Sequence, residues 1–174
     1  MVYYYFPAKD DLFFAVVEDV YGSLLAQLEQ VLTSDLGTEE KVNKVYHVIA
    51  ALGDDELKVV RLIVKEAMAS SQRLSRLFER FSRGHVALLL GMVVQGVQQG
   101  ELRNDVPPMV LVLSTVAVGL LPQLLTRRLR EVGVPMEALF PSADALATAL
   151  AQIVLHGISR GTAPELTSGS ERRK

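Results

Sequence analysis

The side chains best suited to chemistry in this sequence are scattered along it. The three histidines, His47, His85 and His156, are far apart and have no metal-ligand spacing. Cysteine is absent, which excludes disulfides and thiolate metal sites. No GxGxxG, P-loop, GxSxG or HExxH pattern occurs, and no paired acid–base or nucleophile constellation is visible. The expectation is a protein that is not an enzyme and needs no metal or cofactor, with an all-α enzyme as the alternative. His85 is the most informative of these residues. It falls on an apolar stripe between Phe81 and Leu88, which suits either a satisfied core histidine or a polar anchor in an apolar pocket. Glu66 and Tyr46 are candidates of the same kind. His47 and His156 lie off the apolar stripes and read as solvated surface residues.

The elements that would position these residues are helices. From Lys9 to about Leu32, Phe13, Val16, Val17, Val20, Leu24, Leu28 and Val31 recur at three- and four-residue steps, which places them on one face. A helix of that length spans roughly 35 Å, the reach of a strut. Ser34, Asp35 and Gly37 then supply turn chemistry. Thr38 is the expected N-cap of a helix carrying Val42, Val45, Tyr46, Ile49 and Leu52. Gly53-Asp54-Asp55 separates it from a stripe of Leu57, Val60, Ile63, Val64, Ala67 and Met68, and Ser70-Ser71 marks the next break. Leu74, Leu77, Phe78, Phe81, His85, Leu88 and Met92 then follow at helical spacing as one continuous helix. Its second half is apolar all round, so it should be buried all round. Gly84, Gly91 and Gly96 weaken it and serve either close packing or room for a ligand.

Gly100 is the expected C-terminal stop of that helix. Asp105 is the expected cap of the next one, which opens at Pro107-Pro108, and Pro122 should kink it. Residues 133–141 form a connection of undefined shape. Ser142 and Asp144 begin a last helix with Ala143, Leu146, Ala147, Leu150, Ile153, Val154, Gly157 and Ile158 on its apolar face, and Gly161 should stop it. Residues 162–174 are polar and read as a disordered tail. No alternating strand pattern occurs, so the fold class is all-α.

Composition agrees with a folded domain. The 174 residues are 49% hydrophobic and 22% charged, with a formal net charge of −2. That balance gives no global attraction to nucleic acid, so any DNA contact must come from a local patch. No signal-peptide pattern is visible, and the expectation is a cytoplasmic protein. Val106 to Leu125 carries no charge and is followed by Arg127 and Arg128, as a membrane span would be. Pro107, Pro108 and Pro122 interrupt it, however. The continuous apolar part, Met109 to Leu121, has the length of a buried core helix.

Two short motifs carry a resemblance. Tyr3-Tyr4-Tyr5-Phe6-Pro7-Ala8-Lys9-Asp10-Asp11-Leu12 is similar to the Tyr-x-x-Phe-x-x-Lys-x-x-Leu signature that closes the DNA-binding domain of TetR-family transcriptional regulators. Gly100-Glu101-Leu102-Arg103, followed by acidic Asp105, resembles a turn common in the ligand-binding domains of that family. The resemblance implies a TetR-like helical bundle divided as follows: the end of a recognition helix and its turn (1–8), a connecting helix (9–32), a ligand-binding and dimerisation domain (33–161) and a tail (162–174). It implies that Tyr3, Tyr4, Tyr5 and Lys9 touch DNA phosphates, contacts that position a protein without reading sequence. Packing of Tyr3 against Phe6 is the other role open to that residue.

The family sets roughly forty residues ahead of this signature, since a helix-turn-helix needs a crossing helix before its recognition helix. Almost nothing precedes it here, so a truncated dimerisation and ligand-binding module unable to hold DNA alone is an alternative. The resemblance further implies a small, largely apolar effector in a pocket formed by Tyr46, Ile63, Glu66, Ala67, Phe81, His85, Leu88, Met92 and Val116. It implies a homodimer through Leu113, Ala117, Leu120, Leu121, Leu124, Leu146, Leu150, Ile153 and Gly157. The expected partners are thus a second copy of the chain, operator DNA and the effector, with no membrane. The expected function is that of a ligand-responsive transcriptional repressor.

Overall fold

A computed structural model describes residues 9–69, 71–135 and 142–158. The expectations for Tyr3, Tyr4, Tyr5, residues 1–8, Gly161 and the 162–174 tail lie outside the described residues. Seven helices and no strand are present among those described: α1 (Lys9–Leu32), α2 (Thr38–Ala51), α3 (Asp54–Ala69), α4 (Ser71–Phe81), α5 (His85–Gln98), α6 (Pro108–Glu131) and α7 (Ala143–Ile158). The fold is all-α.

The apolar stripes meet in one main core. Leu28 and Leu32 of α1, Val42, Val45, Tyr46 and Ile49 of α2, Leu57 and Val60 of α3, Leu89, Met92 and Val93 of α5, Leu111, Val112 and Leu124 of α6, and most of the inner face of α7 are buried together. Each such side chain contributes roughly 1.5–3 kcal/mol. A second, smaller cluster of Phe13, Val17 and Leu77 joins the first half of α1 to α4, with Ile63 and Ala67 of α3 alongside. The long α1 therefore runs from one cluster into the other.

Local chemistry departs from the sequence expectations in three places. Thr38 is not the N-cap of α2; Gly37 takes that position, and the Thr38 backbone N–H is met instead by Glu101 Oε2 at 3.3 Å. Asp105 does not cap α6, whose N-cap is Pro107; its carboxylate is engaged by the Arg103 guanidinium at 2.5–2.7 Å. The stripe from Leu74 to Met92 is not one helix. It breaks between Phe81 and His85, where Gly84 adopts φ −109° and ψ −123°. Pro122 lies inside α6, which runs on past it to Glu131.

Other expectations hold in detail. Gly100 ends α5 with φ +76°, a left-handed conformation that glycine adopts without steric cost. Ser142 Oγ accepts the Ala145 N–H at 3.2 Å as the cap of α7. At the start of α3, Glu56 reaches back to accept the Gly53 N–H at 2.7 Å, half of a capping box. Arg127 was not singled out by sequence, yet its guanidinium donates to the Ala50 and Leu52 carbonyls at 2.7 and 2.8 Å and so closes the C-terminal end of α2.

One helix among the described residues, Pro108–Glu131, is long and apolar enough to cross a membrane. It is also a core helix, with Leu111, Val112, Thr115, Gly119, Gln123, Leu124 and Thr126 buried.

The glycines divide by what surrounds them. A Cβ at Gly96 would lie 2.9 Å from Thr38 Oγ1 and one at Gly119 would lie 2.7 Å from Tyr46 Cε1, whereas nothing stands within 4 Å at Gly91. Close packing therefore accounts for Gly96 and Gly119. Gly91→Ala should stabilise the fold by up to about 1 kcal/mol through helix propensity. Gly119→Ala should destabilise it by about 1–3 kcal/mol through overpacking. Urea unfolding of the two variants checks both signs.

Candidate functional site

Six helices enclose an apolar cavity of about 150 Å³. Val20, Tyr21, Leu24 and Leu28 of α1 form one wall, with Val45, Tyr46 and Ile49 of α2 and Val60, Ile63 and Val64 of α3 adjoining. Phe81 closes the end of α4, His85 and Leu89 come from α5, and Thr115, Val116 and Leu120 from α6. No charged residue lines it. Its polar groups come from Tyr21, Tyr46, His85 and Thr115 alone, the pattern of an apolar pocket with a few placed polar groups.

Two of those four are fully engaged. The Tyr46 hydroxyl donates to the Thr115 carbonyl at 2.7 Å, and Thr115 Oγ1 donates to the Leu111 carbonyl at 2.8 Å. Tyr46 is 1% exposed, and burial raises its hydroxyl pKa well above the usual tyrosine range. It pins α2 to α6 beside Gly119.

The other two stand at the junction of α1, α4 and α5. The rings of Tyr21, Phe81 and His85 form a trio, with centroids 4.6 Å apart for Tyr21–Phe81, 5.2 Å for Phe81–His85 and 5.5 Å for Tyr21–His85. The Tyr21 oxygen accepts the His85 backbone N–H at 3.3 Å, serving one of the unpaired donors at the start of α5. It enters the space left by Gly84, where a Cβ would stand 1.8 Å from it. His85 Nδ1 is buried with no hydrogen-bond partner. His85 is therefore not the satisfied core histidine that its stripe position allowed. Burial pushes its pKa down to about 4, so the ring is neutral at physiological pH.

Five of the nine expected pocket residues, Tyr46, Ile63, Phe81, His85 and Val116, line this cavity. The other four do not. The Glu66 carboxylate is ion-paired with Arg73, and Ala67 packs on the smaller cluster. Leu88 packs against the main core and Met92 is buried within it. The wall from α1 was missed, although Tyr21, Leu24 and Leu28 stand at helical spacing and could have signalled it.

The expected interface residues also divide. Leu113, Leu121 and Ile153 are exposed (62%, 52% and 64%), as is Gly157, while Ala117 is half-buried. Val110 and Leu125 extend the exposed stripe along α6. Leu124, Leu146 and Leu150 are instead buried in the chain's own core, and Leu120 lines the cavity. The chain's own core and cavity wall take up those four. Lys9 opens α1.

A larger depression of about 670 Å³ is an open trough beside Thr38, Glu40, Asn43, Lys44, His47 and Glu101. His47 Nε2 lies 3.2 Å from Asp144 there. Among the described residues no group of histidines and acids could hold a metal ion.

The depressed pKa of His85 ties stability to pH with a definite sign. The unfolded chain binds a proton below about 6.5 that the folded chain takes up only near 4. The contribution is complete above pH 6.5 and is lost as pH falls towards 4. Between pH 7.5 and 4.5 wild type should lose roughly 2–3 kcal/mol more than His85→Leu, from the shift at 1.36 kcal/mol per unit. Urea unfolding at the two pH values measures it.

No protein-family model matches the sequence. A curated relative, the fatty acid metabolism regulator protein of Bacillus subtilis, is 24% identical over 105 residues, covering 59% of this chain. The chain thus spans about half the length of that relative (53%). Solved structures are similar over most of the chain. The ketosteroid transcriptional regulator KstR2 of Mycobacterium tuberculosis superposes with a TM-score of 0.61 at 17% identity, over 92% of this chain and 78% of that one. A transcriptional regulator of the TetR/AcrR family from Thermobifida fusca gives 0.58 at 20% identity, over 91% and 79%. A protein of unknown function from Rhodococcus gives 0.64 at 15% identity, over 87% and 75%. The helix order, the turn at Gly100 and these superpositions agree: the chain has the fold of the TetR/AcrR-family transcriptional regulators.

Proposed function

We propose that the chain is the effector-binding and dimerisation part of a cytoplasmic TetR-like transcriptional repressor whose hold on operator DNA is set by a small, largely apolar effector. One observation carries this reading. The long helix α1, which follows directly on the tyrosine-rich segment expected to face DNA, also supplies a wall of the apolar cavity through Val20, Tyr21, Leu24 and Leu28. An effector that fills the cavity pushes on the helix leading to the DNA-reading end. Dimeric readers need half-sites roughly 34 Å apart, so a shift of a few ångströms between two copies disfavours DNA. The mechanism is a population shift, driven by a difference in effector affinity between the two arrangements. The apolar lining suits the chemistry named for two of the similar proteins, regulators of fatty acid metabolism and of ketosteroids.

The partner on the α6–α7 face is a second copy of this chain. Val110, Leu113, Leu121 and Leu125 of α6 recur at helical spacing and, with Ile153 of α7, expose a stripe that the described residues leave uncovered. Two-fold dimers are the commonest closed assembly, and homodimer interfaces are the more hydrophobic class.

Toluene is a suitable probe of the cavity. At tenfold excess over its Kd it should stabilise the fold by about 1.4 kcal/mol, a rise of roughly 3–6 °C in Tm for a chain of this size. No rise at saturation would remove the cavity from the mechanism. Light scattering at micromolar concentration should give a dimer for wild type and a monomer for the double variant Leu113→Glu/Leu121→Glu. A monomeric wild type would sink the interface.

A further inference from the structure

The unmet hydrogen-bonding capacity of the cavity is concentrated at one end. The Tyr21 oxygen is an acceptor for the His85 backbone N–H, and its own hydrogen has no acceptor among the described residues. His85 Nδ1 is buried and unpartnered. At the opposite wall, the Tyr46 and Thr115 hydroxyls both donate to carbonyls of α6. Both open groups belong to one corner, since the Tyr21 oxygen lies 3.3 Å from the backbone nitrogen of the residue that carries the ring.

We infer that the cavity recognises a compact, uncharged molecule whose one polar group is a hydroxyl, seated between the Tyr21 hydroxyl and the His85 ring. This rests on the reading of the cavity as the effector site and adds the class of the effector. Charge is excluded by the lining, which holds no residue that could pair with a carboxylate or an ammonium; an unpaired buried charge is prohibitively costly. Size is limited too. A volume of about 150 Å³ takes a molecule the size of benzene and falls below the range of sites for drug-sized ligands.

The choice of hydroxyl follows from donors and acceptors. A neutral imidazole carries one donor and one acceptor nitrogen, in either tautomer. A carbonyl accepts from Tyr21 but meets Nδ1 only in the tautomer that carries hydrogen there. A hydroxyl both accepts and donates, so it meets Tyr21 and either tautomer of His85. Phenols and short-chain alcohols have this chemistry.

Phenol and toluene, which differ by a hydroxyl in place of a methyl, test the inference by calorimetry on the full chain at neutral pH. A cavity without partners penalises the hydroxyl by about tenfold or more. Phenol binding at least as tightly as one-fifth of the toluene affinity supports the inference; a weaker phenol beside a binding toluene overturns it. In Tyr21→Phe and His85→Phe the phenol-to-toluene affinity ratio should fall about tenfold. An unchanged ratio in both variants also overturns it. The wild-type comparison stands even where a variant fails to fold. If neither probe binds, the effector-site reading fails, and this inference with it.

Discussion

The hydroxyl of Tyr21 fills the space that Gly84 leaves by having no side chain, and the arrangement of the chain around its cavity depends on that contact. A Cβ at residue 84 would stand 1.8 Å from the oxygen and 3.0 Å from the ring carbon that bears it, so the two cannot coexist without displacement. With glycine there, the Tyr21 oxygen accepts the first N–H of α5, and the chain breaks between α4 and α5 instead of running on as one rod. The break is what lets α4 fold along the first half of α1 through Leu77, Phe13 and Val17 while α5 enters the main core through Leu89, Met92 and Val93. One helix, α1, is thereby held at both ends by different partners, with Tyr21 near its middle.

The two ends are held unequally. The main core draws buried residues from α1, α2, α3, α5, α6 and α7, and it is tied further by Tyr46 on Thr115 and by Arg127 on the end of α2. The smaller cluster buries three residues and leaves Leu74 and Phe78 of α4 exposed. Regions with few buried apolar contacts are those that open at least cost. The cavity lies between these two zones, bounded on one side by the well-packed α2 and α6 and on the other by Phe81, His85 and the middle of α1. On the proposed reading, a molecule larger than the present volume enters by moving the lightly held α4 and α1 rather than the core helices. That is the direction in which a displacement reaches the N-terminal end of α1.

Periodicity made the all-α class and most helix limits legible, because burial of one face leaves a stripe that any reader of the sequence can count. It could not say which stripe meets which. Leu124, Leu146 and Leu150 looked available for a partner, yet they are buried in the chain's own main core. The stripe through Phe81 and His85 passed unbroken across Gly84, because apolar spacing is blind to a tyrosine arriving from sixty residues upstream. Thr38 and Asp105 had suitable cap chemistry, but Gly37 and Pro107 held the positions. A distant contact accompanies two of these outcomes, Tyr21 at the α4–α5 break and Glu101 at the Thr38 N–H, whereas Asp105 is engaged by Arg103 two residues away. The apolar half of the cavity was readable on α2, α3 and α6 for the opposite reason, since there the stripe and the wall are the same face.

Tyr21 and Tyr46 show how one residue type divides between structure and recognition. Both line the cavity, and both gain apolar contact from their rings. Tyr46 spends its hydrogen on a backbone carbonyl, so its polar group is complete without any ligand and removing it would loosen α2 from α6. Tyr21 accepts rather than donates, and at the same junction His85 Nδ1 has no partner among the described residues. An unpaired buried polar group such as His85 Nδ1 lowers stability by about 1–3 kcal/mol. On the proposed reading, the same corner that joins α1 to α5 is where an occupant of the cavity would find its polar partners.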